Sequence, residues 1–224
     1  MKTGFTFAGW NTVSDGSGDE YTPGGIYTNN ADATLFAQWD PLITDVDLPA
    51  GISLYGYTGA NPIDTQTAFQ TLIDNSQLSL VRWINSSGAI KELYYTTFPT
   101  PGWVNEIGNM TLGQGYVVKT TTACTLSISG NRDTSSVTHD LPSGYSLVGF
   151  NQETPLDAQT AFQPLIDAGK LELVRWVDPS TGGIKEFYYT TFPAPGWVNE
   201  IGNLTEGQGY IIKLNAAHSS FNLP

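Results

Sequence analysis

The chain has 224 residues, a length that accommodates one large domain or two to three small ones. Hydrophobic residues make up 40% and charged residues only 13%, with 24 Gly and 13 Pro, so a core can form but strands and tight turns are favoured over long helices. A net charge of −12 with nine Lys and Arg repels phosphate backbones and anionic bilayers, which sets nucleic acid aside as a partner, and no apolar run reaches transmembrane length.

The first forty residues contain GFTFAGW (Gly4–Trp10), Tyr21-Thr22 and DATLFAQW (Asp32–Trp39). The two Trp, the GxxFxGW start and the LxAxW end resemble the second half of the Listeria–Bacteroides repeat, the internalin B type. The resemblance implies a small β-grasp-like module of the kind arrayed in surface proteins, an adhesive setting and an extracellular location. The family repeat opens with a further strand pair, and only Met1-Lys2-Thr3 precede the motif here. A partial module over residues 1–41 is therefore expected: either the repeat is cut at this point, or its open sheet edge is completed by the neighbouring module or by another copy of the chain. The acidic segment DGSGDE (Asp15–Glu20) has oxygen ligands that calcium would accept. A plain polar turn is the simpler reading, and no metal or cofactor is assigned.

A duplication dominates the rest. LPAGISLYGY (Leu48–Tyr57) matches LPSGYSLVGF (Leu141–Phe150), and LVRW (Leu80–Trp83) recurs at Leu173–Trp176. Ile90–Lys119 and Ile184–Lys213 then agree almost residue for residue, after one insertion in a Ser/Gly-rich turn of the kind a surface hairpin tolerates. The modules run over 42–130 and 131–224, with Asn131–Asp140 as the linker. In each copy, LYGY or LVGF predicts a strand. TAFQ predicts a capping box in which Thr67 and Thr160 cap a short helix and Gln70 and Gln163 reach back. That places Pro164 at the fourth helical residue, where its missing N–H has no partner anyway. Phe69, Leu72 and Ile73, with Phe162, Leu165 and Ile166, are expected to face inward. A hairpin across Asn85–Gly88, and across Asp178–Gly183 in the second copy, follows. GQGYVVK and GQGYIIK are strands entered through paired glycines, and Thr125–Ser129 and Ser219–Leu223 are final strands. The predicted fold is mainly β: a partial N-terminal module, then two homologous β-rich modules with one short helix each.

The order LPAGISLYGY, LVRWINSSGAIKELYY, GQGYVVK, repeated in the second copy, resembles a module of many secreted bacterial surface proteins that begins LPxGWNLVS-like and ends GxGYW-like. It covers most of residues 48–119 and 141–213. The middle Trp and the aromatic after GY differ here, and the resemblance implies no activity.

Catalysis needs positioned acids, bases or nucleophiles. His139, His218 and Cys124 have no equivalents in the other copy, and no catalytic residue is assigned; Cys124 reads as a small buried hydrophobe. Glu92 and Glu186 are expected to face solvent or pair with Arg82 and Arg175. Trp83 and Trp176 read as core. The candidate binding residues lie in YYTTFPxPGWVNE: Tyr94, Tyr95, Trp103, Asn105 and Glu106, with Tyr188, Tyr189, Trp197, Asn199 and Glu200, and Phe98 and Phe192 between them. Flat aromatics beside amide and carboxylate groups suit sugar rings, whereas a Trp after Pro-Gly also plugs small cores, and alternation puts adjacent tyrosines on opposite faces. Both readings stay open. The expected role is a non-enzymatic, extracellular structural or adhesive module whose partners are other protein copies or cell-surface and glycan ligands. The alternatives are a homo-oligomeric surface filament built by strand exchange and a carbohydrate-binding module.

Overall fold

The computed structural model describes residues 5–28, 31–41 and 43–223, so the expected start of the first module at residues 1–4 lies outside the described residues. Contacts divide the chain into two compact units: Met1–Thr44 with Ser127–Arg132, and Asp45–Leu126 with Asp133–Pro224. The architecture is mainly β, with three helices among the described residues.

In the first unit, β1 (Phe5–Asn11) pairs antiparallel with both β2 (Glu20–Tyr21) and β3 (Phe36–Pro41). A bulge between Phe7 and Gly9 interrupts the alternation of β1, which brings Phe7 and Trp10 to one face. The Phe7 ring sits edge-on to Trp10 at 5.2 Å and to Trp39 at 5.4 Å, so the spaced aromatics of the motif form one cluster. Gly9 is required here, because a Cβ would lie 2.5 Å from the Tyr21 carbonyl oxygen. Asn11 is fully buried and organises the loop that follows. Its Nδ2 donates to the carbonyls of Gly16 and Gly18, and its Oδ1 accepts from the N–H groups of Val13 and Gly18. In that loop Asp15 accepts from the backbone and hydroxyl of Ser17, closing the expected turn.

The first repeat contributes β4 (Ile43–Leu48), β5 (Gly51–Gly56), β6 (Ile63–Asp64), α1 (Thr65–Ala68), α2 (Gln70–Asp74), β7 (Leu78–Ile84), β8 (Ile90–Thr96), β9 (Gly102–Asn105), β10 (Asn109–Met110), β11 (Gly115–Thr120) and β12 (Cys124–Ser129). The second contributes β13 (Val137–Leu141), β14 (Gly144–Gly149), β15 (Leu156–Asp157), α3 (Ala158–Asp167), β16 (Leu171–Val177), β17 (Ile184–Thr190), β18 (Gly196–Asn199), β19 (Asn203–Leu204), β20 (Gly209–Leu214) and β21 (His218–Leu223). The two five-stranded sheets have matching orders, β5-β11-β7-β8-β9 and β14-β20-β16-β17-β18. The predicted hairpins form in register, Arg82 opposite Glu92 and Arg175 opposite Glu186, and both pairs close as ion pairs at 2.6 Å.

Each sheet buries two faces. One carries the helix: in the second copy Ala158, Ala161, Phe162 and Leu165 recur at helical spacing and pack on Val174, Phe187, Tyr210 and Ile212. The other faces the sister sheet, where Leu54, Leu147 and Val177 pack with Ile84, Val117 and Ile211. Alternation along the strands separates the two sets.

Several expectations are corrected. The helix caps are Asp64 and Asp157, which accept from Thr67 N–H at 2.9 Å and Thr160 N–H at 3.0 Å, not Thr67 and Thr160. Gln70 and Gln163 instead reach forward to Asp74 and Asp167, each at 2.7 Å. Each aspartate accepts from the amide of the threonine itself with a charged acceptor, so the helix starts earlier. Pro164 is accordingly the seventh of ten helical residues and sits on the exposed side, where the Thr160 carbonyl it cannot bond can be hydrated. Trp83 and Trp176 are half-buried rather than fully enclosed, and Trp176 packs against the core of the second repeat. The Trp176 indole N–H needs a polar partner and donates to Gln208 at 3.1 Å, with Lys185 over the ring at 5.4 Å. Cys124 is likewise half-buried, and partial desolvation raises its thiol pKa.

Candidate functional site

The site is built by the hairpin of β8 and β9 and its equivalent of β17 and β18. Ladder register sets Tyr95 directly across from Trp103, and Tyr189 from Trp197. The rings meet edge to face at 5.9 Å and 5.7 Å, with the same interplanar angle of 69°. Trp197 also stacks on the fully buried Phe187 at 5.0 Å, so its ring is fixed from below while Tyr189 stays half-exposed. Beyond these pairs, the TFPTPG and TFPAPG loops present Phe98 and Phe192, which are 83% and 82% exposed. The Thr96 hydroxyl accepts from the Phe98 N–H and donates to its carbonyl, and Thr190 repeats both bonds around Phe192. Both loops contain a cis Phe-Pro bond.

The remaining candidates do not converge on this patch. Tyr94 and Tyr188 point to the opposite sheet face, as alternation requires, and are half-buried. Glu106 and Glu200 are exposed and continue the Tyr94 and Tyr188 side. Asn105 and Asn199 are committed within the chain. Asn105 Nδ2 donates to Asp64 at 2.8 Å and to the Gly108 carbonyl, while its Oδ1 accepts from Ile107 and Gly108 N–H. Asn199 bonds Asp157 at 3.0 Å and spans Gly202 in the same way. Asp64 and Asp157 thus join the helix start to the end of the aromatic hairpin, a role the sequence reading missed. The signal was present as Asp-x-x-Thr in both copies.

Other concavities are modest. A depression of about 570 Å³ is lined by Asp47, Leu48, Pro49, Cys124 and Ser180. Its counterpart in the second copy is about 150 Å³, beside Trp83, Asn85, His139 and Pro142. In the first unit a third, of about 370 Å³, runs along Gly9, Trp10, Tyr21 and Gln38. Among the described residues no three His, Cys, Asp or Glu side chains cluster as metal ligands. The deeply buried ionisable groups shared by both copies are Tyr116 and Tyr210. Burial raises both phenols, Tyr210 to about 12, and each is neutral and hydrogen-bonded, to Gln114 and to Thr205. Burial lowers His139 to about 4. The Ser180 hydroxyl and then Lys185 hold the Asp178 carboxyl well below its ordinary range.

Residues 1–38 match the Listeria–Bacteroides repeat domain, in agreement with the resemblance read from GFTFAGW and DATLFAQW. Over 41 residues the chain is 51% identical to a provisionally named Gly-rich membrane protein of Evansella cellulosilytica, covering 18% of this chain and 5% of that protein. Over 39 residues it is 51% identical to a second protein of the same organism, provisionally named a membrane protein, covering 17% and 6%. The chain therefore spans only about a twentieth of the length of the curated relatives it matches. No solved structure matches. No helix among the described residues is long and apolar enough to cross a membrane.

Proposed function

We propose that this chain is a non-catalytic interaction segment of a cell-envelope protein, adhering through its duplicated aromatic loops. The observation that carries the reading is the repetition of one exposed arrangement, Tyr95–Phe98–Trp103 and Tyr189–Phe192–Trp197, on a rigid hairpin in both copies. Two identical sites favour a repetitive partner, because simultaneous engagement raises avidity without new contacts. The repeat match in residues 1–38 and the membrane-protein names of the relatives support an envelope location. The site offers no poised acid–base pair, which supports a binding role. The open Tyr–Trp edge also supports a glycan as the ligand, since sugar rings stack on such faces.

The test is binding of the full chain to a glycan array and to intact bacterial and host cells, alongside a Phe98→Ser plus Phe192→Ser variant. Both rings are exposed, so the variant keeps its fold. Loss of at least tenfold in cell or glycan binding is expected. Undiminished binding by the variant overturns the assignment of these loops, and no binding to any cell or glycan overturns the adhesive role.

A further inference from the structure

Within the second unit the two repeats meet through one surface used twice. Gly56 N–H donates to the Gly207 carbonyl at 2.8 Å, and the equivalent Gly149 N–H donates to the Gly113 carbonyl at 2.7 Å. Tyr55 bridges Gln208, and its counterpart Val148 bridges Gln114. A Cβ on Gly56 would lie 2.8 Å from the Gly149 Cα, and one on Gly149 would lie 2.7 Å from the Gly56 Cα. The apolar contact obeys the same rule: Leu54, Ile84 and Val117 pack with Leu147, Val177 and Ile211, which are their own repeat equivalents. A contact in which residue i meets j and j meets i is the isologous interface of a two-fold dimer. Here it is folded into a single chain.

We propose that each repeat's partner is interchangeable between its own chain and a second copy of the chain, giving a reciprocally exchanged dimer. The first repeat of each molecule then packs on the second repeat of the other. Every bond just named is present in both arrangements, so their balance rests on the connection and on concentration. The connection is short: β12 ends at Ser129 and β13 begins at Val137. It is strapped at equivalent positions of the two repeats, Asp133 N–H to the Thr58 carbonyl and Asn151 Nδ2 to the carbonyls of Asp133 and Ser135. A short linker holds its ends at an effective concentration on the order of mM. The closed monomer therefore dominates in dilute solution, and exchange grows where chains are held side by side. An exchanged dimer carries four aromatic loops instead of two. The exchange itself is independent of whether those loops have a ligand, so either idea can fail alone.

The experiment co-refolds equal amounts of unlabelled and carbon-13-labelled full chain from denaturant at about 1 mM. Native mass spectrometry then reads mixed-mass dimers, and an isotope-filtered NOE experiment reads contact between Gly56 of one chain and Gly149 of another. A second sample uses the full chain lacking Asp133–Ser136, which shortens the connection by roughly 13 Å at about 3.4 Å per residue. Mixed dimers showing the interchain Gly56–Gly149 contact are expected, with the shortened chain moved from monomer to dimer. Dimers lacking that contact overturn the proposal, as does a purely monomeric wild type together with a folded, monomeric shortened chain. If the shortened chain fails to fold, the wild-type sample decides alone: absence of mixed masses overturns the idea.

Discussion

The two repeats solve one folding problem with different residues, and the differences show which parts of the module tolerate change. The β7–β8 turn is closed by Asn85, whose Oδ1 accepts from Ser87 and Ala89. The longer β16–β17 turn uses Asp178, which accepts from Ser180 and pairs with Lys185 at 3.0 Å. Thr71 in α2 stands where Pro164 stands in α3. Both replacements lie at exposed turns or on a helix's outer side, where water replaces a lost partner. By contrast Phe69 and Phe162 on the helices, the inter-repeat glycines and the aromatic residues of the loops are the same in both copies. Core positions that do differ, such as Leu93 and Phe187 or Met110 and Leu204, exchange one buried apolar side chain for another. The aromatic residues of the loops are exposed and yet unchanged, while Thr100 stands where Ala194 stands between them.

The comparison can be broken at three depths. The largest effect is expected at the helix–sheet contact. Phe69→Ala and Phe162→Ala each empty a fully buried site, at a cost of about 4 kcal/mol. Urea unfolding with intrinsic fluorescence should give equal losses for the two if the repeats unfold as one cooperative unit. A second, lower transition in only one variant would show that they unfold separately.

An intermediate effect is expected from acid, and it belongs to the second repeat alone, because His139 corresponds to Val46. Burial lowers the folded-state pKa of His139 from 6.5 to about 4. The unfolded state therefore binds the extra proton first, and the contribution is full above pH 6.5. It is lost as pH falls toward 4, reaching about 3 kcal/mol at most. His139→Val should flatten stability across that pH window in denaturant titrations; an unchanged slope would mean that the imidazole is solvated in the folded state.

The smallest effect is expected at the hinge between helix and aromatic loop. Asn105→Ala and Asn199→Ala each remove bonds to Asp64 or Asp157 and to the Gly108 or Gly202 turn, at about 1–2 kcal/mol each. Partner binding should weaken in parallel, because the hairpin that carries Phe98 or Phe192 loses its anchor. Intact binding at lowered stability would separate the anchor from the site.

Most strands were readable because alternation and Gly-bounded apolar runs are local signals. The hairpins, the GQGY strands and the Arg82–Glu92 and Arg175–Glu186 pairs lie where the repeat predicted them. The caps were misread because Asp and Thr at three-residue spacing both satisfy the cap pattern, and only the folded geometry selects the acceptor. Of the candidate site, Tyr95 with Trp103 and Tyr189 with Trp197 came together across a ladder, which spacing around a tight turn foretells. Tyr94, Glu106 and their equivalents separated because neighbours in a strand face opposite ways.

The sequence by itself determined the duplication, the repeat-type N-terminal segment, the strand-rich class and the aromatic loops, since each is written in residues close together along the chain. Tertiary structure alone decided that the two repeats share a buried interface built on Gly56 and Gly149. It also decided that Asn105 bonds Asp64, 41 residues away in the chain. Both depend on groups far apart in sequence, and whether a glycine serves a turn or a close approach depends on what the rest of the chain brings against it.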